Sequence, residues 1–241
     1  MTHDALVLIF ARIQFDNAPV TLFVVLAALA VEWAKHNIQG FRGFDDKSAL
    51  FSTPARGEVG TLFHRRGTIY IGASKWRLPS NKLIRLVLFC MRVFLANVGH
   101  SGWEHFSNNA SQLLLLGPAC EGYFGSQEIL IMIGVKSMVS VVAQWVSDRD
   151  RSSTGASGIV FMLYLLSAQV NRKEGKIPLT LLLQMAIYLP KELEPMLKPK
   201  ADDKVSHIGH FAGAVVGAAF GFMYHQGTAI GNELESVGSW W

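Results

Sequence analysis

The sequence predicts an all-α membrane protein with six transmembrane helices, and three observations predict it. Half of the 241 residues are hydrophobic and only 17% are charged, with a mean hydropathy of +0.28; a soluble domain carries roughly 25% charged residues. Apolar runs recur along the chain between polar connections, and about 20 such residues cross a hydrocarbon core. A serine and a histidine, Ser157 and His210, each stand near the opening of one of these runs. Polar groups in hydrocarbon are costly, so they face one another or a wet cavity and mark function more often than in soluble cores.

The first span is expected over Ala18 to Ala34, with Trp33 and Lys35 as interfacial anchors. A long polar connection, residues 35–80, follows. Within it Arg66-Gly67 lies between two β-prone runs of the segment Thr61 to Ser74, the pattern of a small hairpin. Lys82 to Leu95 is amphipathic, with Arg85 and Arg92 on one face, and reads as an interfacial helix leading into the second span. That second span is expected from near Gly102 to near Gly117. Its first half, WEHFSNNASQ, is too polar to face lipid. The third span covers Ile129 to Val146, the fourth Ser157 to about Val170, the fifth Ile177 to Leu189 before Pro190, and the sixth His207 to Tyr224. The fourth and fifth are short for a full crossing. A helix that begins inside a bilayer leaves irregular backbone at its start, tolerable only beside protein or a wet cavity. Ser157 occupies such a start.

Charge and cysteines exclude several function classes. The 22 basic and 18 acidic residues are spread over many loops, without a basic stripe interleaved with aromatics, so no nucleic-acid partner is expected. Cys90 and Cys120 have no metal-ligand spacing, and neither a metal nor another cofactor is expected. Residues 1–16 have an apolar run only from Ala5 to Ala11 with no basic flank, which does not read as a cleavable signal peptide. Residues 1–241 read as one membrane domain with its catalytic core at 99–223.

A Ser–His couple is the minimum machinery for nucleophilic hydrolysis. His105 and Asn109, one helical turn apart, are two donors on one face, which an acyl-transfer enzyme can aim at the oxyanion of its tetrahedral intermediate. His100 approaches the same helix and can orient this group. His210, Gly213, Gly217 and Gly221 follow at spacings of three, four and four. Such a ridge lets helix backbones approach closely, bringing a histidine within about 3 Å of a serine on the neighbouring helix. Taken singly, each has a plainer explanation: interhelical glue for His105 and Asn109, a packing ridge for the glycines, a helix cap for Ser157. Their conjunction favours chemistry. His207 reads as interfacial, Lys136 as snorkelling or paired, and Gln144 as interfacial or holding water for the reaction.

Four blocks then carry a resemblance. They are Gly99 to Asn109 (GHSGWEHFSNN), Gly117 to Gly125 (GPACEGYFG), Gly155 to Phe161 (GASGIVF) and His210 to Gly217 (HFAGAVVG). In this order they resemble the second-helix motif, the GxxxExxxG turn, the GxSGxxF/Y nucleophile motif and the HxxGxxxG last-helix motif of rhomboid intramembrane serine proteases, in their bacterial six-helix form. The resemblance implies a rhomboid-like bundle with a buried dyad of Ser157 as nucleophile and His210 as general base. It implies that His105 and Asn109 help the Ser157 amide hold the oxyanion, that His100 supports them, and that Phe161 lies against the histidine ring. Gly155, Gly158, Gly213 and Gly217 match its glycines. Two departures are visible: Ala214 stands where the family often has a second glycine, and the first connection is long, so its Trp76-Arg77 is not the family's loop motif.

The implied activity is cleavage of peptide bonds in or near transmembrane segments, with transmembrane proteins and the lipid bilayer as partners. The implied location is multi-pass in a bacterial cytoplasmic membrane. The family topology puts the amino terminus inside; the short inner segments then hold four basic residues and the short outer loops six, so the positive-inside rule does not favour it. The rival from another class is an inactive rhomboid-like protein that binds transmembrane clients. A transporter fits less well, because no inverted repeat or intramembrane carboxylate stands out.

Overall fold

The computed structural model describes residues 18–38, 68–71, 74–77, 81–146, 154–170 and 207–238, with scattered helical positions between 179 and 190. Helix α1 (Pro19–Asn37) begins at a proline, whose missing N–H costs nothing in the first turn. Ala18 at its N-cap has no side-chain acceptor, and a residue of another helix supplies one. The Glu121 carboxylate accepts from the Val20 amide at 2.8 Å, the Thr21 amide at 2.9 Å and the Thr21 hydroxyl at 2.8 Å. An anion at a helix N-terminus meets both its orphan N–H groups and its dipole.

That contact corrects the expected second span. Helix α3 (Trp103–Phe124) does not stop near Gly117 but runs through Gly117 and Pro118 for two further turns. Gly117 is small because Thr21 of α1 packs against it; a Cβ there would overlap the threonine side chain. The block read as a turn is therefore helical, and its glycine and glutamate face α1. The reversal takes one residue, Gly125 at φ +96°, after which α4 (Ser126–Val146) begins.

Between α1 and α3 lie a hairpin and helix α2. Strands β1 (Thr68–Ile71) and β2 (Ser74–Arg77) pair antiparallel with Ile71 opposite Ser74. The described reversal lies between those two residues, with the TIYI run as the first strand of the pair; Arg66-Gly67, where a turn was expected, lies outside the described residues. The all-α reading thus gains a small sheet. Helix α2 (Lys82–Leu95) starts where Asn81 accepts from the Leu83 amide at 2.8 Å. Arg85 and Arg92 share a face as expected, but that face is buried, while Leu83, Ile84, Leu86, Val87 and Met91 are exposed. Phe89 and Val93 pack on Val141 and Trp145 of α4.

Helix α5 (Ser157–Val170) is apolar and largely buried, and α6 (His207–Gly238) lies along it, longer than the expected sixth span. On its other side the Tyr164 hydroxyl donates to Gln112 Oε1 of α3 at 2.7 Å. The outward faces of α1, α3 and α4 present Phe23, Leu26, Leu114, Leu115 and Ile131. Two described helices, Pro19–Asn37 and Ser126–Val146, are long and apolar enough to cross a bilayer, and Ser157–Ala168 is a shorter apolar stretch. The expected fifth span falls largely outside the described residues.

Candidate active site

The start of α5 is held by a strained glycine. Gly155 has φ +120°, which L side chains rarely adopt, and its amide donates to the Ala96 carbonyl at 2.8 Å. A Cβ on Gly155 would come within 2.8 Å of the His105 ring. The loop thus lies against the helix that carries the expected oxyanion donors. Ala156 accepts from the Ile159 and Val160 amides, and Ser157 enters the first turn.

Across from it stands His210. Its Nε2 lies 2.6 Å from Ser157 Oγ. This approach needs two bare backbones: a Cβ on Gly213 would overlap the Gly158 carbonyl, and one on Gly217 would overlap the Met162 carbonyl. Phe161, one turn along α5, stacks on the His210 imidazole at 4.8 Å between centroids and 12° between planes. Stacking fixes the ring, and an aromatic face attracts a protonated imidazole. His207 was expected at an interface; it is buried, with its ring edge-on to His210 at 6.0 Å. It precedes His210 by three residues on one helix, so both rings turn to the same side.

The expected donors line α3. His105 Nδ1 is 3.0 Å from Ser101 Oγ and accepts from the Ser101 amide at 3.4 Å. That contact leaves its proton on Nε2, the nitrogen on the Gly155 side. Asn109 is buried, and its Nδ2 has no hydrogen-bond partner among the described residues.

His100 sits in the loop ahead of α3. Its Nδ1 lies 3.2 Å from the Val98 carbonyl, its Nε2 accepts from the Ala156 amide at 3.4 Å, and its ring meets His105 edge-on at 5.0 Å. Burial above all, and then the neighbouring His105, lower its pKa to about 3. The neutral ring keeps Nε2 free to accept, so His100 ties the α3 loop to Ala156, the residue before Ser157.

A polar tether on the far side of Ser157 was only half anticipated. Lys136 of α4 is buried and paired, its Nζ donating to Asn97 Oδ1 at 2.8 Å, while Asn97 Nδ2 donates to Ser137 Oγ at 2.8 Å. The end of the lysine fills the space that a Gly158 side chain would need. Gln144 is buried two turns further along α4. Asn97 was missed, since its helix-flanking position gives no sign of a partner 39 residues away.

A family model described as Rhomboid domain matches residues 89–227. No curated protein matches the chain.

Proposed function

The chain belongs to the rhomboid family, whose members are membrane-embedded and generally serine proteases of membrane proteins, and from that premise we propose that it is an active intramembrane serine endopeptidase. In this reading residues 1–241 form one multi-pass domain of six crossings, with Ser157 as nucleophile and His210 as base. The observation that carries it is the 2.6 Å approach of His210 Nε2 to Ser157 Oγ. An inactive client-binding relative has no use for that contact, nor for a close-approach ridge that maintains it.

The substrate segment must unwind, because a helical peptide bond has its carbonyl engaged and its faces covered. His210 Nε2 takes the Ser157 proton as Oγ adds to the carbonyl carbon. The oxyanion is met by the Ser157 amide, Asn109 Nδ2 and His105 Nε2. Collapse breaks the C–N bond, the leaving amine takes the proton from His210, and water activated by the same imidazole hydrolyses the acyl-enzyme. Phe161 orients the His210 ring by stacking.

The test is fluorophosphonate labelling of the detergent-solubilised full chain, with the adduct located by mass spectrometry. The expected adduct is on Ser157, and Ser157→Ala should abolish cleavage of a model transmembrane substrate. An adduct on another serine, with cleavage retained in Ser157→Ala, overturns the reading.

A further inference from the structure

Helix α1 carries an acidic residue where its composition argues against one. Glu32 lies in an otherwise apolar stretch, is 1% exposed, and sits in the penultimate turn, where the helix dipole disfavours a carboxylate. Lys35 of the last turn pairs with it at 3.1 Å, and His36 Nε2 lies 3.3 Å from its other oxygen. The expected role of Lys35 was an interfacial anchor, and a lysine near a span end ordinarily extends to water. This one turns inward: beside its bond to Glu32, its Nζ donates to the backbone carbonyl of His100.

His100 is a junction. Its ring is bonded to Val98 on one side and Ala156 on the other, and it packs on His105. A continuous path therefore runs from Glu32 through Lys35 and His100 to Ala156, the neighbour of Ser157. A half-buried ammonium bonded to both a buried carboxylate and a carbonyl is a rigid link, because leaving the buried carboxylate unpaired is costly.

We propose that Lys35, braced by Glu32, is a positioning residue of the active site, fixing through His100 the loop that carries Ser157 and the surface that carries His105. It touches no reacting atom. The proposal rests on the reading of Ser157 as nucleophile.

The experiment compares full-length wild type, Lys35→Met, Lys35→Arg and Glu32→Gln in detergent. Fluorophosphonate labelling of wild type comes first, and its failure sinks the protease reading itself. With labelling intact, kcat and KM on a fluorogenic transmembrane peptide are measured below each variant's melting temperature. Displacements near 1 Å cost on the order of a hundredfold in rate. Lys35→Met should therefore lose about ten- to a hundredfold in kcat with KM within about twofold. Lys35→Arg, which keeps charge and donors, should recover most of the loss. Wild-type kcat in folded Lys35→Met, or an equal loss in Lys35→Arg, overturns the proposal. Should Lys35→Met not fold, Glu32→Gln decides: a several-fold loss of kcat supports it, and wild-type kcat overturns it.

Discussion

At the scale of single residues, Asn109 separates chemistry from packing. Its Nδ2 is buried with no partner among the described residues, a condition that costs about 1–3 kcal/mol. A residue kept to join helices would have found an acceptor. A residue kept for an oxyanion leaves its donor waiting. Asn109→Ala should therefore lower kcat by on the order of 10²–10³ with KM little changed, while the melting temperature holds or rises. Kinetics on a fluorogenic transmembrane peptide and thermal unfolding decide it together: a folded variant with wild-type kcat and a lower melting temperature returns Asn109 to helix glue. The motif residues were legible because they are marked by local spacing, one turn for His105 and Asn109 and one turn for Gly213 and Gly217. Lys35 and Asn97 were not, because what each meets is set by a distant part of the chain.

At the scale of helices, the ridge on α6 was legible and its partners were not. Small residues every fourth position announce a close approach without saying to what. The structure supplies the answer, the carbonyls of Gly158 and Met162. Gly213→Leu and Gly217→Leu should each abolish cleavage, because a side chain must push α6 from α5 and lengthen the 2.6 Å contact. Gly134→Ala, where a Cβ meets nothing within 4 Å, is the control and should retain kcat. The measurement is cleavage rate on equal amounts of folded protein, and normal turnover in either leucine variant would show that the ridge does not set the Ser–His distance. The end of α3 was illegible for the opposite reason. Glycine followed by proline signals a turn in isolation, and only the presence of Thr21 explains why the helix needs a bare backbone there.

At the scale of the whole molecule, α1 is tied to the rest at both ends by charged groups, and the two ties predict different defects. Near its start, Glu121 of α3 satisfies two backbone amides and a hydroxyl. Near its end, Lys35 reaches the His100 carbonyl. The sequence patterns announced apolar helices, but the first of them looked like a plain span with interfacial anchors, since an acceptor 100 residues away leaves no local trace. Glu121→Ala strands buried donors at a helix start, each costing about 1–3 kcal/mol, and removes the favourable anion from the dipole. Its melting temperature should fall well below that of wild type. Glu121→Gln keeps an acceptor oxygen without the charge and should fall between them. Because α1 stays fastened at its other end, the fraction that remains folded should turn over at close to the wild-type kcat. Lys35→Met should show the reverse balance, a large loss of kcat that its loss of stability does not explain. Thermal unfolding and kcat measured on the same detergent preparations test this. Equal losses of kcat in Glu121→Ala and Lys35→Met would mean that α1 acts on the site as one rigid body, with no special part played by its carboxyl end.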